Sequence, residues 1–469
     1  MTSTRLAAPV APAPVSRLPL AVAVLVGLLS MAAGLATGHL VGGFISPTAS
    51  PFLAVGSGAI DLTPLRLKDF AVRAFGSYDK VVLLSGMAVV IGLVGVVAGL
   101  LSRRSRTPGL VLLAALGAIA SAAVRSRPTA GPLDVLAPLA SLLASAGVFV
   151  VLHRLGRRVL QPAGGPAAAV SRRALLSGSV AVAAGAAVAA TGGQLLAGRG
   201  AVEASREALG RIVPTVPAPP IPRGADFAAD RSPTFITPNR DFYRVDVNLA
   251  LPRLRAEDWR LRIHGMVDRE LTLTWSDLTS RSLIERPVTM TCVSNEVGGP
   301  YISTSNFTGV PLAEILREVG VRRGADQVFT TSVDGWTCGT PTSTLTDPGR
   351  QAMLVIGMNR EPLPIEHGFP VRMLVPGLYG FVSGTKWITD MELTTYDARR
   401  AYWLQRGLAQ RAPNKTKSSL ERPAHLELDS PGPPITGVAW PQTRGIENVE
   451  VRLDHGEWRP AELATEVNV

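Results

Sequence analysis

The chain has 469 residues, 47 Lys and Arg against 36 Asp and Glu for a formal charge of +11, and 46% hydrophobic but only 5% aromatic side chains. The apolar residues crowd into roughly the first 200 positions, so the length divides into a membrane part and room for one or two further domains. No basic patch interleaved with aromatics accompanies the charge, which argues against a nucleic-acid partner; two cysteines and no Cys-x-x-Cys-His leave no iron–sulfur cluster and no c-type haem.

In chain order, residues 1–17 are Pro- and Ala-rich and are expected to be disordered. A membrane region follows over 18–200. Leu18 to Phe44, Val81 to Leu101, Pro108 to Val124, Leu133 to Leu152 and Ala174 to Ala197 are nearly uncharged, each near the ~20 residues that an apolar helix needs to cross a bilayer. They have no polar face, unlike helices packed in a soluble protein. Arg5, Arg17, Arg103, Arg104, Arg106, Arg154, Arg157, Arg158, Arg172 and Arg173 fall on one side of such a bundle, and the denser positive side is the cytoplasmic one. Five spans then put the C-terminal half outside. Ser171-Arg-Arg-Ala-Leu-Leu176 reads either as a twin-arginine export signal or as an ordinary anchor pair, with the same topology. His39 and His153, the histidines available for a membrane haem, fall at opposite faces, so none is expected.

Residues 201–224 include Val213-Pro-Thr-Val-Pro-Ala-Pro-Pro-Ile-Pro222, a semi-rigid spacer. From 225 to about 400 the pattern changes to mixed α and β. Arg260 to His264 and Leu271 to Trp275 alternate as strands, Val371 to Val375 reads as an apolar strand, and Pro311 to Val319 reads as a helix buried through Leu312, Ile315, Leu316 and Val319. No Gly-x-Gly-x-x-Gly follows a strand, which leaves nicotinamide binding unsupported. Cys292 ends a short apolar strand before a polar Gly-rich loop; by itself it is a packed free thiol, a disulfide partner of Cys338, or a soft metal ligand.

Four landmarks in order decide among these: Thr237-Pro-Asn-Arg-Asp-Phe-Tyr-Arg244; Thr289-Met-Thr-Cys-Val293 with Phe307-Thr-Gly-Val-Pro-Leu312; Pro364-Ile-Glu-His-Gly-Phe-Pro-Val-Arg372; and Val375-Pro-Gly-Leu-Tyr-Gly380 with Lys386-Trp387. From Phe235 to Leu393 the chain resembles the molybdopterin domain of the sulfite oxidase family. The resemblance implies a molybdopterin domain of mixed α and β; with the N-terminal transmembrane helix bundle read from the apolar runs, the fold class expected for the chain is α+β. It also implies a molybdenum cofactor bound through the Cys292 thiolate. Arg372 and Lys386 would grip the pterin phosphate with the loop Ser383, Gly384 and Thr385. His367 would reach the pterin; Asn239, Phe242, Tyr243 and Arg244 would lie along the cofactor, and Thr331 would touch it from a strand.

Departures from the family bear on substrate. Sulfite oxidases carry Arg-Asn-His at the first landmark, with the arginine facing the substrate anion. Here Pro238-Asn239-Arg240 stands instead, and only Arg240 is near enough in sequence to replace that contact. A family tyrosine near the metal is replaced within Gly335-Trp-Thr-Cys-Gly339, which brings Cys338 into consideration beside the pocket.

Residues 424–469 alternate at Val449, Val451 and Leu453 before the turn Asp454-His-Gly456. They resemble the start of the family's immunoglobulin-like dimerisation domain. Such a sandwich takes ~100 residues, so this part is expected to be truncated or vestigial, and a homodimer is left undecided. The expectation is a multi-pass cell-membrane oxidoreductase with an extracytoplasmic molybdenum site, two-electron oxygen-atom transfer on a small-molecule substrate, contact with membrane lipid, and a haem-protein or quinone-linked electron-transfer partner. A sulfoxide reductase and a non-catalytic exported binding module are the alternatives.

Overall fold

The computed structural model describes residues 17–46, 49–128, 130–159, 166–196, 199–227, 232–247, 249–422, 435–441 and 443–465. Two compact units divide at Ala197 and Gly198. The N-terminal stretch expected to be disordered lies, apart from Arg17, outside the described residues.

The first unit is helical: α1 (Leu20–Ile45), α2 (Pro51–Leu62), α3 (Leu65–Phe75), α4 (Asp79–Leu101), α5 (Thr107–Arg125), α6 (Leu136–Val159) and α7 (Pro166–Leu196). Among the described residues, five helical segments are long and apolar enough to cross a membrane: Leu20–Ile45, Asp79–Leu101, Thr107–Arg125, Leu136–Val159 and Arg173–Gly193. They match the five apolar runs to within a turn or two. Between the first two of them the chain forms α2 and α3. At 12 residues α2 is too short to span, and α3 mixes charged and apolar residues. Helix α1 packs closely on α4 because glycines face each other: a side chain at Gly27 would collide with the Gly95 carbonyl, and one at Gly99 with that of Ala23. Small residues at such crossings let backbones approach closely.

The second unit opens with α8 (Arg199–Ala208). The extended proline run therefore begins only after Gly210, and the N-terminal third of the expected spacer is helix. Two five-stranded sheets follow. One has β1 (Arg260–Gly265), β2 (Leu271–Thr274), β5 (Gln327–Ser332), β6 (Thr337–Pro341) and β10 (Ile388–Thr394) in the order β2-β1-β10-β5-β6. The other has β3 (Ile284–Thr291), β4 (Ile302–Pro311), β7 (Met353–Met358) and β8 (Glu361–Pro362) in that order, with β9 (Arg372–Leu374) on β7. Pairing is antiparallel except between β1 and β10.

Thr274 and Asp277 cap the short α9 (Trp275–Thr279) reciprocally, which turns the chain at the end of β2. Helix α10 (Leu312–Val319) buries Leu312, Ile315, Leu316 and Val319 as the periodicity requires. They join Trp259, Leu261, Val328, Met373 and Met391 in the main core, and a second core gathers Phe242, Phe307, Met353, Leu363 and Phe369. Of the C-terminal part, residues 423–434 lie outside the described residues. Around them stand two ribbons, β11 (Lys417–Arg422) with β12 (Thr436–Trp440), and β13 (Glu450–Val451) with β14 (Arg459–Pro460) across the expected Asp454 turn.

Candidate active site

Strand β3 ends in Thr291, and Cys292 is the first residue of the loop that follows. Its amide donates to the Tyr301 carbonyl (3.0 Å) and its own carbonyl accepts from Asn295 (3.1 Å), so both ends of the loop fix the thiol's position. Cys292 Sγ lies 3.0 Å from Ser294 Oγ. Lys417 on β11 donates to the Asn295 carbonyl at 3.2 Å, tying the C-terminal ribbon to this loop. Cys292 and Cys338 are both free thiols, which removes the disulfide alternative.

The segment after the 3-10 turn Asn239–Asp241 runs past this thiol. Phe242 anchors it, packing edge-on against Phe307 at 5.9 Å and against His367 at 5.3 Å. Tyr243 stacks on Phe242 at 5.5 Å, contacts Tyr301 at 6.3 Å, and lies within the electrostatic reach of both Cys292 and Arg372. Burial and then Cys292 push its phenol upward while Arg372 pulls it back, so Tyr243 keeps its proton at physiological pH.

Beyond Tyr243 lies a cationic end. Arg372, at the start of β9, is only 4% exposed; Nη1 donates to the His367 carbonyl at 3.3 Å, and Nε has no partner among the described residues. Burial holds its guanidinium down at about 10. Lys386 is 12% exposed, donates to the Glu366 carbonyl at 3.0 Å and lies over the Trp387 ring at 5.0 Å. Burial lowers it to about 8, against the opposing pull of Asp246. Asp246, 4% exposed, is shared: Arg244 Nε reaches it at 2.7 Å and Lys386 Nζ at 3.4 Å. His367, 3% exposed, is pressed to about 3 by burial and by Arg372, Lys386 and Arg244, and is therefore neutral. Gly368 makes this crowding feasible: its φ is +108°, and a Cβ there would stand 3.0 Å from Lys386 Cβ and 3.1 Å from Arg372 Cβ.

The loop before β10 completes this end. The Gly384 amide donates to Gly380 at 2.8 Å and the Thr385 carbonyl accepts from Met373 at 2.8 Å, clipping the loop to β9. Ser383 Oγ turns inward to the Leu378 (3.2 Å) and Tyr379 (3.0 Å) carbonyls. Thr385 Oγ1 meets Thr330 Oγ1 at 2.6 Å.

Three expected site residues are not brought to this cluster. Thr331 follows Thr330 on β5 and so points to the opposite face. There it pairs with Thr337, on the side where Arg399 covers Phe329 at 4.9 Å; the threonine that meets the loop is Thr330. Arg240 sits on the 3-10 turn with its side chain 85% exposed, paired at 3.3 Å with its own neighbour Asp241. Asn239 is spent structurally: its amide donates to the Met358 carbonyl (3.1 Å) and Glu361 (3.2 Å), and it accepts from Asn359 at 2.8 Å. Cys338 does not line the pocket. It is fully buried in the main core beneath Thr330 and Thr340, and burial pushes its thiol up to about 11. Conversely, Asp246, Tyr301, Thr330 and Lys417 take part without having been anticipated.

Among the described residues no three His, Cys, Asp or Glu side chains converge as a metal cage. A metal at Cys292 would have one protein thiolate and would need its other donors from a cofactor. Among the described residues, nearly buried Arg372 and Lys386 and half-exposed Arg244 stand against the carboxylate of Asp246, a surplus of about two positive charges that matches a phosphate monoester of about −2. The partnerless Arg372 Nε supplies a donor for it, since a guanidinium fork suits phosphate oxygens. The residues present fit a phosphorylated, sulfur-bearing metal cofactor.

Residues 248–403 match the family described as oxidoreductase molybdopterin binding domain. This range includes Cys292, His367, Arg372 and the 383–386 loop, and begins just after Asp246. The chain is 28% identical over 276 residues to mitochondrial sulfite oxidase of Rattus norvegicus, covering 50% of each chain. It is 33% identical over 215 residues to inducible nitrate reductase [NADH] 2 of Glycine max, covering 39% of this chain and 23% of that one. It thus spans about half the length of the curated sulfite oxidases it matches. Among solved structures, the sulfane dehydrogenase SoxCD of Paracoccus pantotrophus aligns with a TM-score of 0.41 at 23% identity, over 50% of this chain and 66% of that one.

Proposed function

We propose, for a chain that carries a molybdopterin oxidoreductase domain of the sulfite oxidase type, that it catalyses two-electron oxygen-atom transfer on a small substrate at a molybdenum site on Cys292. The observation that carries this reading is the set Cys292, Tyr243, Arg372: one thiol, a protonated phenol in electrostatic reach of it, and in reach of the phenol a buried guanidinium whose Nε has no partner among the described residues. When bound, the molybdenum cofactor supplies the redox centre and the open position for the transferred oxygen. The residues of the chain do the rest. Arg372 and Lys386 hold the phosphate, Phe242 and neutral His367 wall the pocket with an apolar edge, and Tyr243 keeps a proton on its phenol oxygen beside the thiol.

A sulfoxide-type substrate is favoured over sulfite by one feature: Arg240 is exposed and engaged with Asp241. Reduction of a sulfoxide consumes two electrons and two protons and releases a thioether and water. The electrons would come from a separate haem protein or quinone-linked partner.

We read the five apolar helices as membrane spans, with the N-terminus in the cytoplasm and the second unit outside. Supporting this, Arg103 Nε donates to the Leu18 carbonyl (2.8 Å) and Arg157 Nη1 to that of Arg104 (3.2 Å), so these arginines share one end of the unit. Asp61 and Arg127 pair at 2.9 Å between the end of α2 and the turn after α5. The test is metal analysis with Cys292→Ala. Purified protein should hold about one molybdenum per chain, and the variant should fold yet be inactive; full activity in the variant, or protein expressed with molybdenum available but containing none, defeats the proposal.

A further inference from the structure

A cleft of about 490 Å³ opens at the arginine-rich end of the helical unit, between the α4–α5 turn and the last two turns of α6. Arg104, Ser105, Arg106, Arg154, Arg157 and Arg158 line it, and no acidic side chain does. Among the described residues Arg104, Arg106, Arg154 and Arg158 have no carboxylate partner. Five guanidinium groups around one space repel one another, so the backbone must hold them there. His153, buried on α6, bonds through Nε2 to the Ser102 carbonyl at 2.8 Å. Ser102 Oγ accepts from the Gly109 amide at 2.8 Å, which fixes the turn to the start of α5. Arg157 donates to the Arg104 carbonyl across the cleft, and Arg103 secures the turn to Leu18. The arginines are therefore set on a braced frame.

A positive-inside loop needs only charge, and flexible loops supply it. A braced concave site with planar donors on two walls is suited to bind something. Guanidinium groups match phosphate oxygens in pairs, and basic pockets at the ends of membrane helices take anionic headgroups. We propose that this cleft is a binding site for the phosphodiester headgroup of an anionic phospholipid. It rests on the reading of the helices as membrane spans.

Native mass spectrometry of the full chain in detergent, titrated with phosphatidylglycerol or phosphatidylcholine, tests the site. One phosphatidylglycerol should be retained in preference to phosphatidylcholine. Arg106→Gln with Arg154→Gln should weaken it about 25-fold, at about fivefold for each arginine near a phosphate. Ser105→Glu, a single exposed change that places a carboxylate in the cleft, should expel it, and Arg66→Gln, in α3 and outside the cleft lining, should change nothing. Equal retention of the two lipids, or undiminished binding by Ser105→Glu, overturns the proposal. Displacement of the lipid by equimolar inorganic phosphate overturns the lipid assignment in favour of a soluble phosphate. Release of the chain from membranes by alkaline carbonate without detergent would instead refute the span reading, so the two failures are distinct.

Discussion

Lys386 Nζ lies 3.4 Å from Asp246 Oδ2, a contact between two nearly buried groups 140 residues apart. Asp246 thereby balances two cations, Lys386 and Arg244. Asp246→Asn should destabilise the cofactor-free protein by about 3 kcal/mol at neutral pH, the scale of a broken buried pair. Urea unfolding of the second unit measures it; a loss below about 1 kcal/mol would show that Lys386 finds its balance elsewhere.

His367 gives a pH signature. Its folded value is about 3 against 6.5 for the free side chain, so between those limits the unfolded chain binds more protons and stability falls as pH falls. The full loss is on the order of 5 kcal/mol, at ~1.4 kcal/mol per unit. The loss begins below pH 6.5 and is complete near pH 3. In His367→Gln the dependence of the unfolding midpoint across this window should shrink; an unchanged slope would assign the effect to other groups.

Arg240 should matter little. Its side chain is exposed and its pairing is with an adjacent residue, a contact worth at most ~1 kcal/mol. Arg240→Ala is expected to change sulfite kcat/KM by less than about threefold, and sulfite itself should be turned over well below the ~10⁶ M⁻¹s⁻¹ of efficient enzymes. A tenfold drop in the variant would put Arg240 back over the metal.

Topology is checked by reporter fusions at Gly200, which should be active only outside the cytoplasm. Activity confined to the cytoplasm would reverse the assignment made from Arg103 to Arg106 and Arg154 to Arg158.

The long apolar helices were legible because twenty uncharged residues have one cheap arrangement in a bilayer. The α2–α3 stretch was not, since a short apolar run followed by the mixed charges of α3 describes a loop and short helices equally well. In the second unit, local patterns located β1, β2, α10 and the strand that begins at Arg372, and the family resemblance singled out Cys292, Arg372 and Lys386. What escaped depends on register. Thr330 and Thr331 are chemically identical neighbours, and only strand pairing tells which one faces Thr385. Asp246 looks like any polar residue until the fold brings Lys386 to it, and Arg240 is turned outward by a one-turn 3-10 helix that nothing in its side chain announces.

The parallel pairing of β1 with β10 sets an order of assembly. His264 and Asp390, joined at 3.0 Å, are 126 residues apart, and closing so long a loop is slow compared with forming a hairpin. The loop carrying Ser383 to Lys386 immediately precedes β10, so in a growing chain Cys292 is made well before that loop can be placed beside it. On the proposed reading of the site, cofactor capture would be a late event, open only once nearly the whole molybdopterin domain has been made and has closed on itself.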